Sequence, residues 1–430
     1  MTPVSSVPSL PFAPTTTDRE MSAAPVDRLV LDDDWSDLGR IREMPRIDFE
    51  RMSGYRTGRL KQQLRLHDAA LVILVNPISL RYAVDYRSYM LFQAHIPTVY
   101  LLLPQDGPTV FYGCYYDVPQ VDDFRPGRPH AFFDGGTNID LAARGLADDV
   151  AAYLDEIGSS NRRVAIEYVN PSVTQALEAR GIEVIDGVRI SEQARLIKSA
   201  DEIACMRWAV AVAEHGAAMV RRALRPGVSE LQLWGLLNYT NIANNGDWHE
   251  GRMLSSGPRI NPWLQEASPR RIESGDLVGF DTDMVGPFGY FVDLSRTFHC
   301  GPAKPTRRQK QIYRMAVEQV EHNLKLIYPG MTLIELQRRA YPVPEECQRN
   351  AYPCVMHAVG MCDEYPQVKH LFREENPYDC TLETGMVVCV ESYIGPEGER
   401  DGVKLEQQVL ITEDGYESLT NYPWEESLLD

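Results

Sequence analysis

Apolar and polar positions fall into two textures along this chain. Between Tyr55 and about residue 190, short apolar runs alternate with helical patterns. Residues 59–67 read as helical, and 69–75 form a continuous apolar run, the mark of a buried strand. Residues 99–103, 109–112, 164–168 and 182–185 are further strand candidates, while 139–157 and 172–179 read as helices. Strands alternating with helices over roughly 130 residues predict a small α/β domain.

The texture changes at Ser199. Ser199 and Glu202 stand as S-x-x-E, a capping box that satisfies free N–H groups at a helix start. Behind it, Ile203, Met206, Val210, Ala213, Ala217, Val220 and Leu224 are spaced alternately three and four, one apolar face of a long helix. Arg225-Pro226-Gly227 ends it, because proline cannot continue the ladder. An echo follows: Pro226-Gly227-Val228-Ser229-Glu230-Leu231-Gln232 resembles Pro329-Gly330-Met331-Thr332-Leu333-Ile334-Glu335-Leu336-Gln337. Either a unit is duplicated about a pseudo-twofold axis, or common helix-junction residues coincide.

Several apolar runs end in acid. Leu277-Val278-Gly279-Phe280-Asp281-Thr282-Asp283 reads as one strand, and a period of two would put both carboxylates on one face. Gly286-Pro287-Phe288-Gly289 supplies a turn, and Tyr290-Phe291-Val292-Asp293 returns as a partner strand. Three clustered carboxylates repel one another unless a cation sits among them, although solvated loop charges would give the same pattern. His357 follows the apolar segment Tyr352-Pro353-Cys354-Val355-Met356, where a satisfied core histidine is the plainer reading. Glu391 is expected to end the strand 386–390, and Glu406 to lie in a half-buried strand over 403–411. A charge closing so apolar a run is unusual unless paired or metal-bound.

Composition narrows the picture. A length of 430 residues exceeds one compact core and implies two domains with a tail. With 44% hydrophobic and 24% charged residues the chain is not wholly disordered, though its Pro-, Ser- and Thr-rich start, residues 1–25, reads as a disordered tail. Residues 27–60 are mixed and acidic, with Asp32-Asp33-Asp34, and have no firm assignment. A net charge of −18 argues against nucleic acid and anionic membrane as partners. Eight scattered cysteines without a C-x-x-C read as reduced thiols, and the first residues lack the basic and apolar regions of a signal peptide. No apolar run approaches bilayer length. A cytoplasmic location is expected.

The order Asp-x-Asp, Asp, His, Glu, Glu resembles the ligand set of the prolidase, aminopeptidase P and creatinase superfamily. Gly289-Tyr290-Phe291-Val292-Asp293-Leu294-Ser295-Arg296-Thr297-Phe298 is similar to the family's G-Y-x-x-D-I/L-S/T-R-T-F. Gly385-Met386-Val387-Val388-Cys389-Val390-Glu391 resembles G-M-V-x-x-x-E, Gly402-Val403-Lys404-Leu405-Glu406 resembles G-V/I-R/K-x-E, and Arg195-Leu196-Ile197-Lys198-Ser199 resembles R-x-I/V-K-S/T. The resemblance implies a creatinase-like α/β N-terminal domain, 26–192, plus an α+β pita-bread C-terminal catalytic domain, 193–430, duplicated about a pseudo-twofold. It also implies a homodimer and a site of two bridged metal ions held by Asp281, Asp283, Asp293, His357, Glu391 and Glu406.

The chain departs from the peptidases at two histidines. After Ser256-Gly257-Pro258-Arg259-Ile260-Asn261-Pro262 the family carries histidine, and here Trp263 follows. Allowing one deletion, Asp363 stands where the second histidine is expected, and the usual eleven-residue Asp-to-Asp step is replaced by steps of ten and twelve. All metal ligands are kept while the peptidase's proton-handling groups are gone. A metal holding a substrate carboxylate would acidify the α-proton, and Asp363 would serve as the base that removes it. Tyr352, Trp263 and Tyr365 would hold a cationic head through their ring faces. This altered set, with the Tyr352-to-Asp363 run and Asn76-Pro77 and Arg81-Tyr82, resembles the dimethylsulfoniopropionate lyases of the DddP type. That resemblance implies a small-molecule substrate cleaved to dimethyl sulfide and acrylate by β-elimination, with iron as metal and Mn, Co, Zn or Ni as alternatives. The competing readings are an Xaa-Pro-type metallopeptidase and a non-enzymatic binding relative. For Asp363 the bland alternative is a loop or helix-start carboxylate.

Overall fold

The computed structural model describes residues 46–430 apart from 88, 115, 117, 128–135 and 137; the tail at 1–25 and the run Asp32–Asp34 lie outside the described residues. Helix α1 (Phe49–Leu66) is longer than its apolar pattern suggested, because Asp48 caps it and starts it ten residues earlier than the expected 59. β1 (Leu71–Leu74) follows, then α2 (Pro77–Val84), capped by Asn76, and α3 (Met90–His95). β2 (Tyr100–Pro104), β3 (Val110–Tyr112), β4 (Asp123–Arg125), α4 (Ile139–Glu156), β5 (Arg163–Ile166), α5 (Pro171–Glu178) and β6 (Glu183–Asp186) complete a six-stranded sheet in the order β4-β3-β2-β1-β5-β6. β1 runs antiparallel to β2 and parallel to β5. β1 and β2 are buried at every position, as their unbroken apolar runs require.

Asp186 caps α6 (Gly187–Arg195), which leads into α7 (Ala200–Ala223). α7 has the length and composition to cross a membrane, yet it is mostly buried as a core helix. Besides four short helical turns, the chain continues with α8 (Glu230–Ala243), β7 (Trp248–His249), β8 (Leu254–Ser256), β9 (Leu277–Asp281), β10 (Met284–Val285), β11 (Phe291–Val292), β12 (Ser295–His299), α9 (Arg307–Leu324), α10 (Leu333–Arg339), β13 (Cys354–Val359), β14 (Asp363–Lys369), β15 (Val387–Ile394), β16 (Val403–Thr412) and β17 (Gly415–Ser418). They pair as β12-β9-β8, β11-β10-β7 and β14-β13-β15-β16-β17.

The duplication is visible in matched details. α7 and α9 both open on capping boxes, Ser199 with Glu202 and Thr306 with Gln309. Gly227 and Gly330 take φ of 92° and 94°, a region that favours glycine, and their N–H groups donate to the Ile272 and Leu382 carbonyls. Ser229 and Thr332 cap the next helices and bridge to Arg271 and Thr381. Glu273-Ser274-Gly275 precedes β9 as Glu383-Thr384-Gly385 precedes β15, which makes Asp281 the counterpart of Glu391.

Three strand expectations need correction. β9 stops at Asp281, and Asp283 sits at φ 36°, so a left-handed kink and not strand alternation brings the two carboxylates together. Glu391 lies in the middle of β15, which continues to Ile394 because β16 pairs with it along eight residues. β16 is buried over 403–409 and not half-exposed, because β15 pairs along one side and Thr297 and Arg296 of β12 bond to the Lys404 and Glu406 backbone on the other.

Candidate metal centre and pocket

Five short stretches of chain supply the centre. β9 carries Asp281 opposite Ser295 of β12. The kink at Asp283 is pinned by the Glu250 N–H, which donates to the Asp283 carbonyl at 2.9 Å. Asp293 joins β11 to β12, and its N–H donates to Gln408 Oε1 at 3.0 Å. β13 places His357 beside Cys389 of β15, and Glu391 of β15 faces Glu406 of β16 across the ladder. Such cross-strand neighbours lie within side-chain reach.

All six residues expected as ligands therefore meet. His357 Nε2 is 3.2 Å from Glu391 Oε1, 3.5 Å from Asp293 Oδ2 and 4.0 Å from Glu406 Oε1. Ligand atoms of Asp281, Asp283 and Asp293 lie within 4.8 Å of one another, as do those of Asp293, His357, Cys389 and Glu406. Asp281 Oδ1, Asp293 Oδ1 and Glu406 Oε1 are buried without a hydrogen-bond partner, where buried acceptors are ordinarily paired. Burial and the neighbouring carboxylates push Asp293 and Asp283 well above the usual range, and burial with Glu391 pushes Glu406 up to about 8. Burial alone would lower His357, but Asp363, Glu391 and Glu406 carry it up to about 10. The cluster is short of positive charge. Its oxygen-rich donor set, with one imidazole, fits a divalent transition metal.

Lys404 is the group the sequence reading missed. It is fully buried, with Nζ 2.7 Å from Glu391, 2.9 Å from Asp281, 3.2 Å from Glu406 and 2.6 Å from Ser295 Oγ. Burial would raise Asp281, yet Lys404 and its other partners bring that carboxyl down to about 2. A signal existed: Lys404 stands two residues before Glu406, hence on the same strand face. Glu250 was also missed, since nothing in Trp248-His249-Glu250 marks it. It is exposed, but crowding by protein and the Asp363 charge push its carboxyl up to about 7.

Beside the centre lies a cavity of about 400 Å³ lined by Tyr352, His357, Asp363, Tyr365 and Tyr378, among others. Asp363 opens β14, and its Oδ1 lies 3.4 Å from His357 Nδ1. Its side chain is 55% exposed, open to the cavity, although the enclosing walls still push its carboxyl upward. The Tyr352 ring holds Lys404 Nζ 4.4 Å from its centroid, and Tyr365 leans on Tyr378 at 5.5 Å. Trp263 is not brought to this wall. It is buried against Gly279, where a Cβ would meet its ring at 3.1 Å, and 6.1 Å from Tyr393.

Comparison with known proteins gives a consistent set of relatives. Metallopeptidase family M24 matches residues 204–413. The dimethylsulfoniopropionate lyase DddP of Roseovarius nubinhibens is 38% identical over 395 residues, 89% of this chain and 88% of its own. The Roseobacter denitrificans protein of the same name is 36% identical over 397 residues, with 89% and 88% covered. Among solved structures, an Xaa-Pro dipeptidase from Bacillus anthracis superposes with TM-score 0.68 at 22% identity, over 87% of this chain and 99% of that one. The prolidase from Pyrococcus horikoshii gives 0.67 at 21%, over 86% and 99%. These two share the fold.

Proposed function

This chain belongs to the family of the DddP-type dimethylsulfoniopropionate lyases, carbon–sulfur lyases of the pita-bread superfamily, and on that premise we propose that it cleaves dimethylsulfoniopropionate to dimethyl sulfide and acrylate. The observation that supports this most is Asp363 on the wall of a tyrosine-lined cavity, beside His357 and the carboxylate cluster. Asp281, Asp283, Asp293, His357, Glu391 and Glu406 would hold the metal, proposed as iron, and the bound ion would supply Lewis acidity to the substrate carboxylate.

Asp363 takes the α-proton, and the burial that pushes its carboxyl upward makes it a stronger base than a solvated aspartate. The electron pair left on the α-carbon forms the C=C bond as the β-carbon–sulfur bond breaks. Dimethyl sulfide leaves with its own electron pair, and the proton stays on Asp363 until water removes it. The rings of Tyr352 and Tyr365 flank the space a sulfonium would occupy. Trp263 packs over Gly279 of β9, the strand that carries Asp281, and so takes a supporting place outside the cavity. The same reading takes the protein as a cytoplasmic homodimer, divided into units 26–192 and 193–430, acting on a small molecule and not on nucleic acid or membrane. Eight free thiols and a charge of −18 accord with it.

Incubation with dimethylsulfoniopropionate and, separately, with an Xaa-Pro dipeptide tests the proposal. Dimethyl sulfide and acrylate in equal amounts are expected from the first. Free proline from the second, with no dimethyl sulfide from the first, would restore the peptidase reading.

A further inference from the structure

Asp363 and Glu364 are consecutive on β14, so their side chains leave the strand on opposite faces. Asp363 turns to the cavity. Glu364 turns inward, and its side chain has no exposure at all. Its Oε1 accepts from Arg195 Nε at 2.7 Å and from the Met361 N–H at 3.0 Å, and its Oε2 accepts from Lys198 Nζ at 3.1 Å. Burial works against that charge, yet Lys198 and Arg195 hold the carboxyl below its ordinary range. Gly360 makes the room: a Cβ there would meet the Glu364 carboxylate oxygens at 2.4 and 2.6 Å.

The two cations belong to the segment joining the six-stranded sheet to α7. Arg195, also buried, donates through Nη2 to Glu192 Oε1 at 2.7 Å, and Glu192 Oε2 accepts the Tyr365 N–H at 3.1 Å. Two successive residues of β14 are thus tied to α6 and the segment after it. Arg195 Nη1 also approaches Ser79 Oγ at 3.4 Å, and Ser79 donates to the buried Glu167 at 2.6 Å. The hairpin of β13 and β14 carries His357 on one strand and Asp363 on the other, with Val359 opposite Asp363. On the cavity side, among the described residues, Asp363 makes the looser 3.4 Å approach to His357 Nδ1.

We propose that Arg195, Lys198 and Glu364 are positioning residues that clamp the β13–β14 hairpin from behind and so set the Asp363 carboxylate against the bound substrate. The clamp extends the proposed function and rests on Asp363 being the base. Its signature is a loss of turnover with little loss of binding, because a base displaced by about 1 Å can cost roughly 100-fold in rate.

The test compares wild type with Glu364→Gln, Arg195→Met, Arg195→Lys and Lys198→Met. It reads metal content, dimethyl sulfide kinetics and amide hydrogen exchange over residues 360–366. Glu364→Gln and Arg195→Met are expected to keep their metal, lose roughly 10- to 100-fold in kcat with KM within about twofold, and exchange faster at Met361 and Tyr365. Arg195→Lys restores the charge but not the fork that also holds Glu192, and is expected to recover the kcat only in part, more than Arg195→Met does. If Glu364→Gln does not fold, Lys198→Met decides on the same readouts. A folded variant with unchanged kcat and unchanged exchange over 360–366 overturns the clamp. Should the wild type itself release no dimethyl sulfide, the proposed function falls, and the exchange rates alone decide whether the hairpin is held from behind.

Discussion

Replacing Lys404 with methionine keeps the length of the stem and removes the charge, so the lost quantity is electrostatic and not packing. The ammonium lies within 3.2 Å of three carboxylates, and its side chain is 0% exposed. One unit pair at 4 Å is worth about 4 kcal/mol at an effective dielectric of 20, and the desolvation of the ammonium offsets much of the sum. Removing one partner of a buried ionic network costs about 3–5 kcal/mol, because the others remain charged and dry. For a domain of this size each kcal/mol moves Tm by about 2–4 °C, so the metal-stripped Lys404→Met protein is expected to melt roughly 10 °C lower. The assay is thermal unfolding of both metal-stripped proteins, repeated with a divalent metal added. The metal should raise the variant's Tm by more, since an ion supplies the charge that Lys404 no longer does. A variant melting within about 2 °C of wild type without metal would refute the reasoning and make Lys404 a bystander.

Asp363→Asn should keep metal and fold while losing about 10²- to 10⁴-fold in turnover, because an amide cannot accept the proton; normal turnover would reassign the base. Asp293→Ala and His357→Ala should each lower metal content, read by elemental analysis, and abolish activity, and stoichiometric metal with full activity in both would dissolve the centre as drawn. His370 is buried and, with Arg373 adding repulsion, held down to about 4. The unfolded chain therefore binds a proton below pH 6.5 that the folded chain refuses, and stability falls as pH drops from about 6.5 to about 4. The stability of wild type relative to His370→Gln should shrink across that window by about 1.4 kcal/mol per pH unit, measured by urea unfolding, and a flat difference would refute it.

What could be read from the sequence was whatever lies along one strand or one helix. Continuous apolar runs announced β1 and β2, and S-x-x-E announced α7 at its first residue. The order of the candidate ligands could be read because each closes or punctuates an apolar run. What failed to show were interactions between segments. Period two was extended through Thr282, since nothing local marks the left-handed turn at Asp283 that the Glu250 N–H secures. Glu406 seemed half-exposed because its burial comes from β15 on one side and β12 on the other, both distant in the chain. Trp263 occupies the sequence position of a catalytic group, but its ring fills the hollow over Gly279, a neighbour sixteen residues away in the chain. Lys404 has the same history: as a letter it is a surface cation, and its three carboxylate partners arrive from β9, β15 and its own strand.

The duplication has a consequence for how the protein comes to hold its metal. Asp281, Asp283 and Asp293 belong to the first copy, whereas His357, Glu391, Glu406 and Lys404 belong to the second. On a ribosome the first copy emerges with its three acids but without His357, the imidazole of the proposed site, so its grip on a transition ion would be weak. On the proposed ligand set, tight binding would arise only when the second copy docks, and loading would then double as a check that synthesis and folding are finished. Cut between the copies, near residue 302, the chain would make two fragments that each leave the ion in solution and take it up only when mixed.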